Sequence, residues 1–185
     1  MSNPAFIVDG FTERNIIQAI CPGQPIRRTD LNGKNVSLEA MSNRIASLIR
    51  LLNNRNYPIV ILVDKEDRNI LSETMCEELR RLIIAQGIND IELKIGVADR
   101  MIENWILADW EKLTQEIPKP ESTDGLRGSS KIKELLGFYG KTTDGVDMFL
   151  NADSSVIYQN SPSYRCFVDQ VKDLDCWYIN RIVFI

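Results

Sequence analysis

The sequence predicts an α/β fold: a parallel sheet with helices on both faces and a helical elaboration towards the C-terminal end. Three observations carry this. Ile59-Val60-Ile61-Leu62-Val63 is a continuous apolar run, the pattern of a strand covered on both sides. Strand-length apolar runs alternate with segments of helical period from Ala5 to Leu113. The last third loses that alternation and carries helix signals instead. At 185 residues and 44% hydrophobic, the chain can bury one sizeable core. A single domain over 1–185 follows, with an α/β core over 1–115 and the helical elaboration over 116–185.

The elements read as follows. Ala5 to Val8 is a short buried strand that stops at the turn dipeptide Asp9-Gly10. Thr12 can cap the next helix, whose apolar face is Ile16, Ile17 and Ile20. Residues 26–36 are ambiguous between a short strand and a loop. Ser37 opens a longer helix with Met41, Ile45, Leu48, Ile49 and Leu52 on one face, closed at Asn53-Asn54 and Pro58. The strand from Ile59 to Val63 runs straight into Asp64-Lys65-Glu66-Asp67. A helix from Ser72 ends before Gly87 in the C′ position. Ile91, Leu93, Ile95 and Val97 alternate as a strand, and Asp99 starts a helix carrying Trp105. Strands joined by helical crossovers make a parallel sheet. Residues 118–128 read as a loop, and Ser129 to Leu136 as a short helix stopped by Gly137. Ser161-Pro162 is a strong helix start, with Tyr164, Phe167, Val168 and Val171 on one face. Ile182 to Ile185 has the composition of a terminal strand.

Composition excludes several chemistries. The chain has no histidine, and its four cysteines form no CxxC pair. Zinc sites of Cys and His, Ser-His-Asp triads and Cys-His dyads are thereby excluded. Cys76 and Cys166 fall at apolar helical positions and read as buried thiols. A formal charge of -4 supplies no global field for nucleic acid, so such a ligand needs a local basic patch or a basic partner. Arg27-Arg28 and Arg80-Arg81 read as ordinary surface charges. No stretch approaches the roughly 18 apolar residues of a membrane span, and the start lacks a signal-peptide pattern. No membrane contact and a cytoplasmic location are expected.

In open α/β sheets, ligands bind beyond the carboxyl ends of the strands. Asp9 ends the first strand there, Glu13 lies in the first turn of the next helix, and Asp64 and Glu66 end the most buried strand. Each segment alone also fits a turn or a helix cap. If the two strands are neighbours, their carboxylates meet, and crowded carboxylates raise one another's pKa unless a cation is present. Oxygen donors without histidine or thiolate suit Mg²⁺ or Mn²⁺. Trp105 reads as core, with Glu103 and Asp109 on the more polar side of its helix. A phosphoacceptor reading of Asp64 fails because receivers need an acidic pair where this chain has Asp9-Gly10.

Val8-Asp9-Gly10-Phe11-Thr12-Glu13 resembles the first motif of the TOPRIM domain, a strand followed by Glu-Gly-x-x-Glu. Ile61-Leu62-Val63-Asp64-Lys65-Glu66 resembles its second motif, a strand followed by Asp-x-Asp. Asp9 stands where the pattern has Glu, and Glu66 where it has Asp. The closer resemblance is to small stand-alone TOPRIM-like bacterial proteins of unknown function, related to the nucleases of the OLD family. Their pattern includes Glu-x-Trp-x-Leu-Ala-Asp, here Glu103 to Asp109, then a lysine-bearing helix (Lys131 to Leu136), Tyr139-Gly140-Lys141, and Pro162 to Phe167. The resemblance covers nearly the whole chain, and its specificity lies in the order of short motifs.

The resemblance implies a metal-dependent nuclease or phosphodiester-cleaving subunit of an anti-phage defence system, acting with an ABC/AAA-type ATPase. Asp9, Glu13, Asp64 and Glu66 would hold Mg²⁺ or Mn²⁺. Glu103 is a further candidate, and Lys141 or Lys65 could add positive charge. Asp9 or Glu103 could serve as general base. DNA or RNA would be the substrate, and the resemblance leaves room for a homo-oligomer. The competing reading is a catalytically silent regulatory or interaction subunit of such an ATPase complex, favoured by the net acidity and the altered first motif. The segment from Phe138 to Ile185 is the expected docking region for the ATPase, on the expectation that the first two thirds complete the core.

Overall fold

Because the apolar runs are short and separated by helical segments, the chain builds one parallel sheet. The computed structural model describes residues 3–31, 36–52 and 55–183. The elements in order are β1 (Ala5–Val8), α1 (Phe11–Ile20), β2 (Ile26–Arg28), α2 (Leu38–Leu52), β3 (Ile59–Asp64), α3 (Ser72–Ala85) and β4 (Leu93–Ala98). They are followed by α4 (Glu103–Ala108), α5 (Trp110–Leu113), α6 (Gly128–Leu136), α7 (Asp144–Asn151), α8 (Ser154–Asn160) and α9 (Pro162–Val171). The strands lie in the order β2-β1-β3-β4, all parallel. The ambiguous stretch after Gly23 thus contributes an edge strand.

Alternation along the strands sorts the core into two layers. Ala5, Ile7, Ile59, Ile61, Val63, Ile95 and Val97 meet α2 and α3 on one face. Phe6, Val8, Val60 and Leu62 meet α1 and α4 on the other, together with the C-terminal helices. Asp64 continues the parity of Val60 and Leu62, so its side chain belongs to the second face. The chain leaves β1 towards β2 and leaves β3 towards β4. The order therefore reverses between β1 and β3, where an open sheet forms a crevice beyond its carboxyl ends.

The C-terminal third corrects one expectation. It completes the core of the second face rather than decorating it. Trp105 packs against Tyr164 and Phe167, with ring centroids 5.0 and 5.5 Å apart. Phe149 and Tyr178 extend the cluster, and Phe167 lies against Gly96 of β4. The side chain of Gln170 bonds both the N–H and the carbonyl of Ile95, closing the outer edge of β4. Burial of these aromatics is part of folding, so the first two thirds do not complete the core by themselves.

Other boundaries differ locally. Gly10, not Thr12, is the N-cap of α1, and Thr12 is buried. The helix expected from Asp99 begins at Glu103, because Arg100 takes a left-handed backbone (φ 75°) that a helix cannot include. Helices α7 and α8 were not anticipated; Asp153 caps α8 by accepting from Ser155 and Val156. Ile182 and Val183 are not strand; they follow a 3-10 turn at Ile179–Arg181, and Phe184 and Ile185 lie outside the described residues. The close of α2 at Asn53-Asn54 likewise lies outside them. Cys166 is exposed and Cys76 half-buried, so neither is a buried thiol. The other two cysteines, Cys21 at the end of α1 and Cys176, form a disulfide. Among the described residues no helix is long and apolar enough to cross a membrane.

Candidate active site

Local sequence forces the first carboxylates into the crevice. Strand β1 must end at Asp9-Gly10, and α1 starts immediately. Glu13 in its first turn folds back to accept the Gly10 N–H at 2.9 Å, the third-residue half of a capping box. A Cβ at Gly10 would stand 2.8 Å from that Glu13 oxygen and would push the carboxylate aside. Asp9 accepts from the Thr29 hydroxyl at 2.7 Å, which ties the ends of β1 and β2 together. Asp64 projects from the end of β3 beside them. Register pairs Val8 with Leu62, so β3 runs two residues past the end of β1 and Asp64 stands one position beyond Asp9.

Glu103 comes from the start of α4 and is wholly buried, as is Asn104. The expectation that Glu103 and Asp109 lie on a polar side is therefore wrong for both. Asp109 serves the fold, accepting the Asp153 N–H at 2.8 Å. Trp105 is core, as its spacing indicates, and its indole N–H donates to Ser163. Of the motif Glu103 to Asp109, Glu103 alone faces the carboxylates. Lys141 reaches Glu103 Oε1 at 3.4 Å, and the Tyr139 hydroxyl donates to the same oxygen at 3.3 Å.

Electrostatics confirms the crowding. Burial is the main cause that raises Asp64 well above the ordinary carboxylate range, followed by repulsion from Glu13, Glu103 and Asp9. Burial, then Glu103 and Asp9, push Glu13 up to about 7. Asp9 is raised by burial, against the opposing pull of Thr29 and Arg68. Burial works against the charge of Lys141, but the surrounding Glu103, Asp64 and Glu13 outweigh it and raise its pKa. Two carboxylate oxygens, Asp64 Oδ1 and Glu103 Oε2, are buried with no hydrogen-bond partner. Such atoms are costly unless something positive or donating meets them.

The structure thus brings together Asp9, Glu13, Asp64, Glu103 and Lys141. Glu66 lines a cavity of about 340 Å³ with Asp9, Glu13, Asp64 and Lys141. It takes a left-handed backbone (φ 58°), and its N–H donates to the Arg100 carbonyl at 2.8 Å. Lys65 turns away to pair with Asp99 at 2.6 Å. Glu66 is half-buried and lines the cavity, whereas Glu103 is wholly buried behind it. Tyr139 and Thr29 were not singled out as site residues. The adjacency of tyrosine and lysine in Tyr139-Gly140-Lys141 was the available signal for the first. Nothing in the sequence marked Thr29.

The donor set is hard oxygen throughout and suits Mg²⁺ or Mn²⁺ rather than a thiophilic metal. Among the described residues, no three His, Cys, Asp or Glu side chains form an assembled metal site. The carboxylates instead lean on Gly10, Thr29, Tyr139 and Lys141. The unpartnered Asp64 and Glu103 oxygens are where a cation would be accepted.

No family model matches the chain, and no curated protein matches it. Among solved structures, the C-terminal region of the Burkholderia pseudomallei OLD protein is similar at 14% identity and a TM-score of 0.49, covering 94% of this chain and 98% of that one.

Proposed function

We propose that the chain is a Mg²⁺- or Mn²⁺-dependent phosphodiester-cleaving subunit. The observation that carries this reading is the convergence of Asp9, Glu13, Asp64 and Glu103 at the strand-order reversal, with Asp64 Oδ1 and Glu103 Oε2 buried and unpartnered. Buried carboxylates that raise one another's pKa in a cleft are the mark of a candidate functional site.

Asp9, Glu13, Asp64 and Glu103 would hold the metal. A bound cation of this kind polarises a scissile phosphate and makes its water a nucleophile near neutral pH. Within the chain, Asp9 is the less buried carboxylate and is open to entering water, so it is placed to take the proton. Lys141 holds Glu103 in position and adds positive charge beside the phosphate. Tyr139 orients Glu103 from the other side. Glu66, which lines the same cavity, would be a further oxygen donor. The TOPRIM resemblance of the first two motifs supports the same assignment.

The resemblance extends the reading to an anti-phage setting with an ABC/AAA-type ATPase. With a net charge of -4, the isolated chain has little long-range pull on a polyanion. Weak cleavage alone and strong cleavage with the ATPase are expected. The test is co-expression with such an ATPase and a nuclease assay with wild-type and Asp64→Ala chains in Mn²⁺. Salt-sensitive cleavage that needs both proteins and vanishes in the variant supports the proposal. Equal cleavage with the variant moves the chemistry to the ATPase. That outcome leaves the silent-subunit reading, which the Lys141–Glu103 pair favours because it compensates the site without metal.

A further inference from the structure

We infer that the cleft next to the carboxylates, with Arg127 at its wall, binds the phosphate adjacent to the scissile one. The inference rests on the phosphodiesterase reading above for the identity of the scissile site.

A second cavity, of about 260 Å³, opens beside the first and is lined by Arg100, Arg127, Ser129, Ser130 and Lys141. Glu66 and Lys141 belong to both cavities, so the two form one groove with Lys141 at the junction. Its acidic lining is Glu66 and Asp67. Asp67 is engaged by Arg100, which also donates to the Gly125 carbonyl and so stays fixed at the wall. The side chain of Arg127 makes no hydrogen bond or ion pair with the described residues.

The first turn of α6 adds donors and carries no acidic residue. The Ser129 N–H meets only the thioether of Met101, at 3.5 Å, a weak acceptor. An unpaired guanidinium, serine hydroxyls and a helix N–H held only by a thioether around one cleft are the complement of a phosphate. The placement is enforced by packing. A Cβ on Gly128 would stand 2.4 Å from Asn104 Oδ1 and 2.8 Å from Glu103 Cβ, so the start of α6 is pressed directly onto the residue that carries the buried carboxylate. A phosphate held at Arg127 and one held among the carboxylates would therefore lie on either side of Lys141, as successive phosphates of one strand do. An acidic chain needs such a local cationic patch to hold a polyanion at all.

The experiment measures binding of a short fluorescent single-stranded DNA, and RNA of the same sequence, by anisotropy in Ca²⁺ over a range of salt. Arg127 is exposed, so Arg127→Glu leaves the fold intact. Its affinity should fall about tenfold or more, and the slope of log affinity against log salt should drop by about one. Lys133→Glu makes the same charge change on the same helix outside the cleft, and should change affinity less than about twofold. Equal losses in both variants, no loss in either, or no binding by the wild type overturns the subsite. Arg127-dependent binding with no Mn²⁺-dependent cleavage, even when the ATPase is present, keeps the cleft as a nucleic-acid surface and sinks the phosphodiesterase reading instead.

Discussion

Lys141 Nζ lies 3.4 Å from Oε1 of Glu103, a residue from another element that is completely buried. The lysine reaches it from the loop between α6 and α7, with its own side chain half in solvent. This pair is what makes the acidic crevice tolerable in the absence of a metal.

Replacing the lysine should therefore expose the strain. Lys141→Met leaves Glu103, Asp64 and Glu13 facing one another, and should cost about 1–3 kcal/mol in chelator, the range for a buried polar group deprived of its partner. Saturating Mn²⁺ should restore most of that loss. Urea unfolding with and without Mn²⁺ measures both; a loss that Mn²⁺ leaves untouched would mean that Lys141 serves the fold alone.

Asp64→Asn keeps the shape of the side chain and removes one crowded charge. In chelator the variant should be as stable as the wild type or slightly more so. Mg²⁺ at a hundredfold excess over its dissociation constant should stabilise the wild type by about 2.7 kcal/mol and the variant hardly at all. A variant much less stable in chelator would identify Asp64 as a structural cap.

The raised Glu13 gives stability a pH dependence of definite sign. Its folded pKa of about 7 lies above the ordinary 4.5, so the native state binds the extra proton. That contribution is fully present below pH 4.5 and is lost as pH rises through 7. In chelator, unfolding free energy should fall over this window by on the order of 3 kcal/mol relative to Glu13→Gln, whose profile should be flatter. Mg²⁺ should bind more tightly as pH rises across the same window, since it competes with the proton. A wild-type profile parallel to that of Glu13→Gln would remove Glu13 from the coupled cluster.

Cys21 and Cys176 join segments 155 residues apart. Closing so long a loop restricts the unfolded chain, and Cys176→Ser should lower stability by about 2–5 kcal/mol under oxidising conditions. Under strong reductant the two proteins should unfold nearly together. An equal difference in both conditions would place the effect in packing around Cys176, not in the bond.

The sequence by itself determined the sheet and half of the crevice. Continuous burial of Ile59 to Val63 dictates a central parallel strand, and the abrupt change to Asp64 dictates where it stops. The same reading places Asp9 and Glu13 beyond the end of β1, since a strand end and the helix that follows it are local matters. Only the tertiary structure decided that Glu103 is buried among these carboxylates and Glu66 is not. Helical period cannot tell which polar residue an α4 wedged under α6 will enclose, because the C-terminal helices that cover it come from sequence far away. The pairing of Lys141 with Glu103 across 38 positions (141 minus 103), and the bond between Cys21 and Cys176, belong to the same class. Local residue pattern encodes what each segment buries on its own. Which distant charge meets which is fixed only when the segments pack.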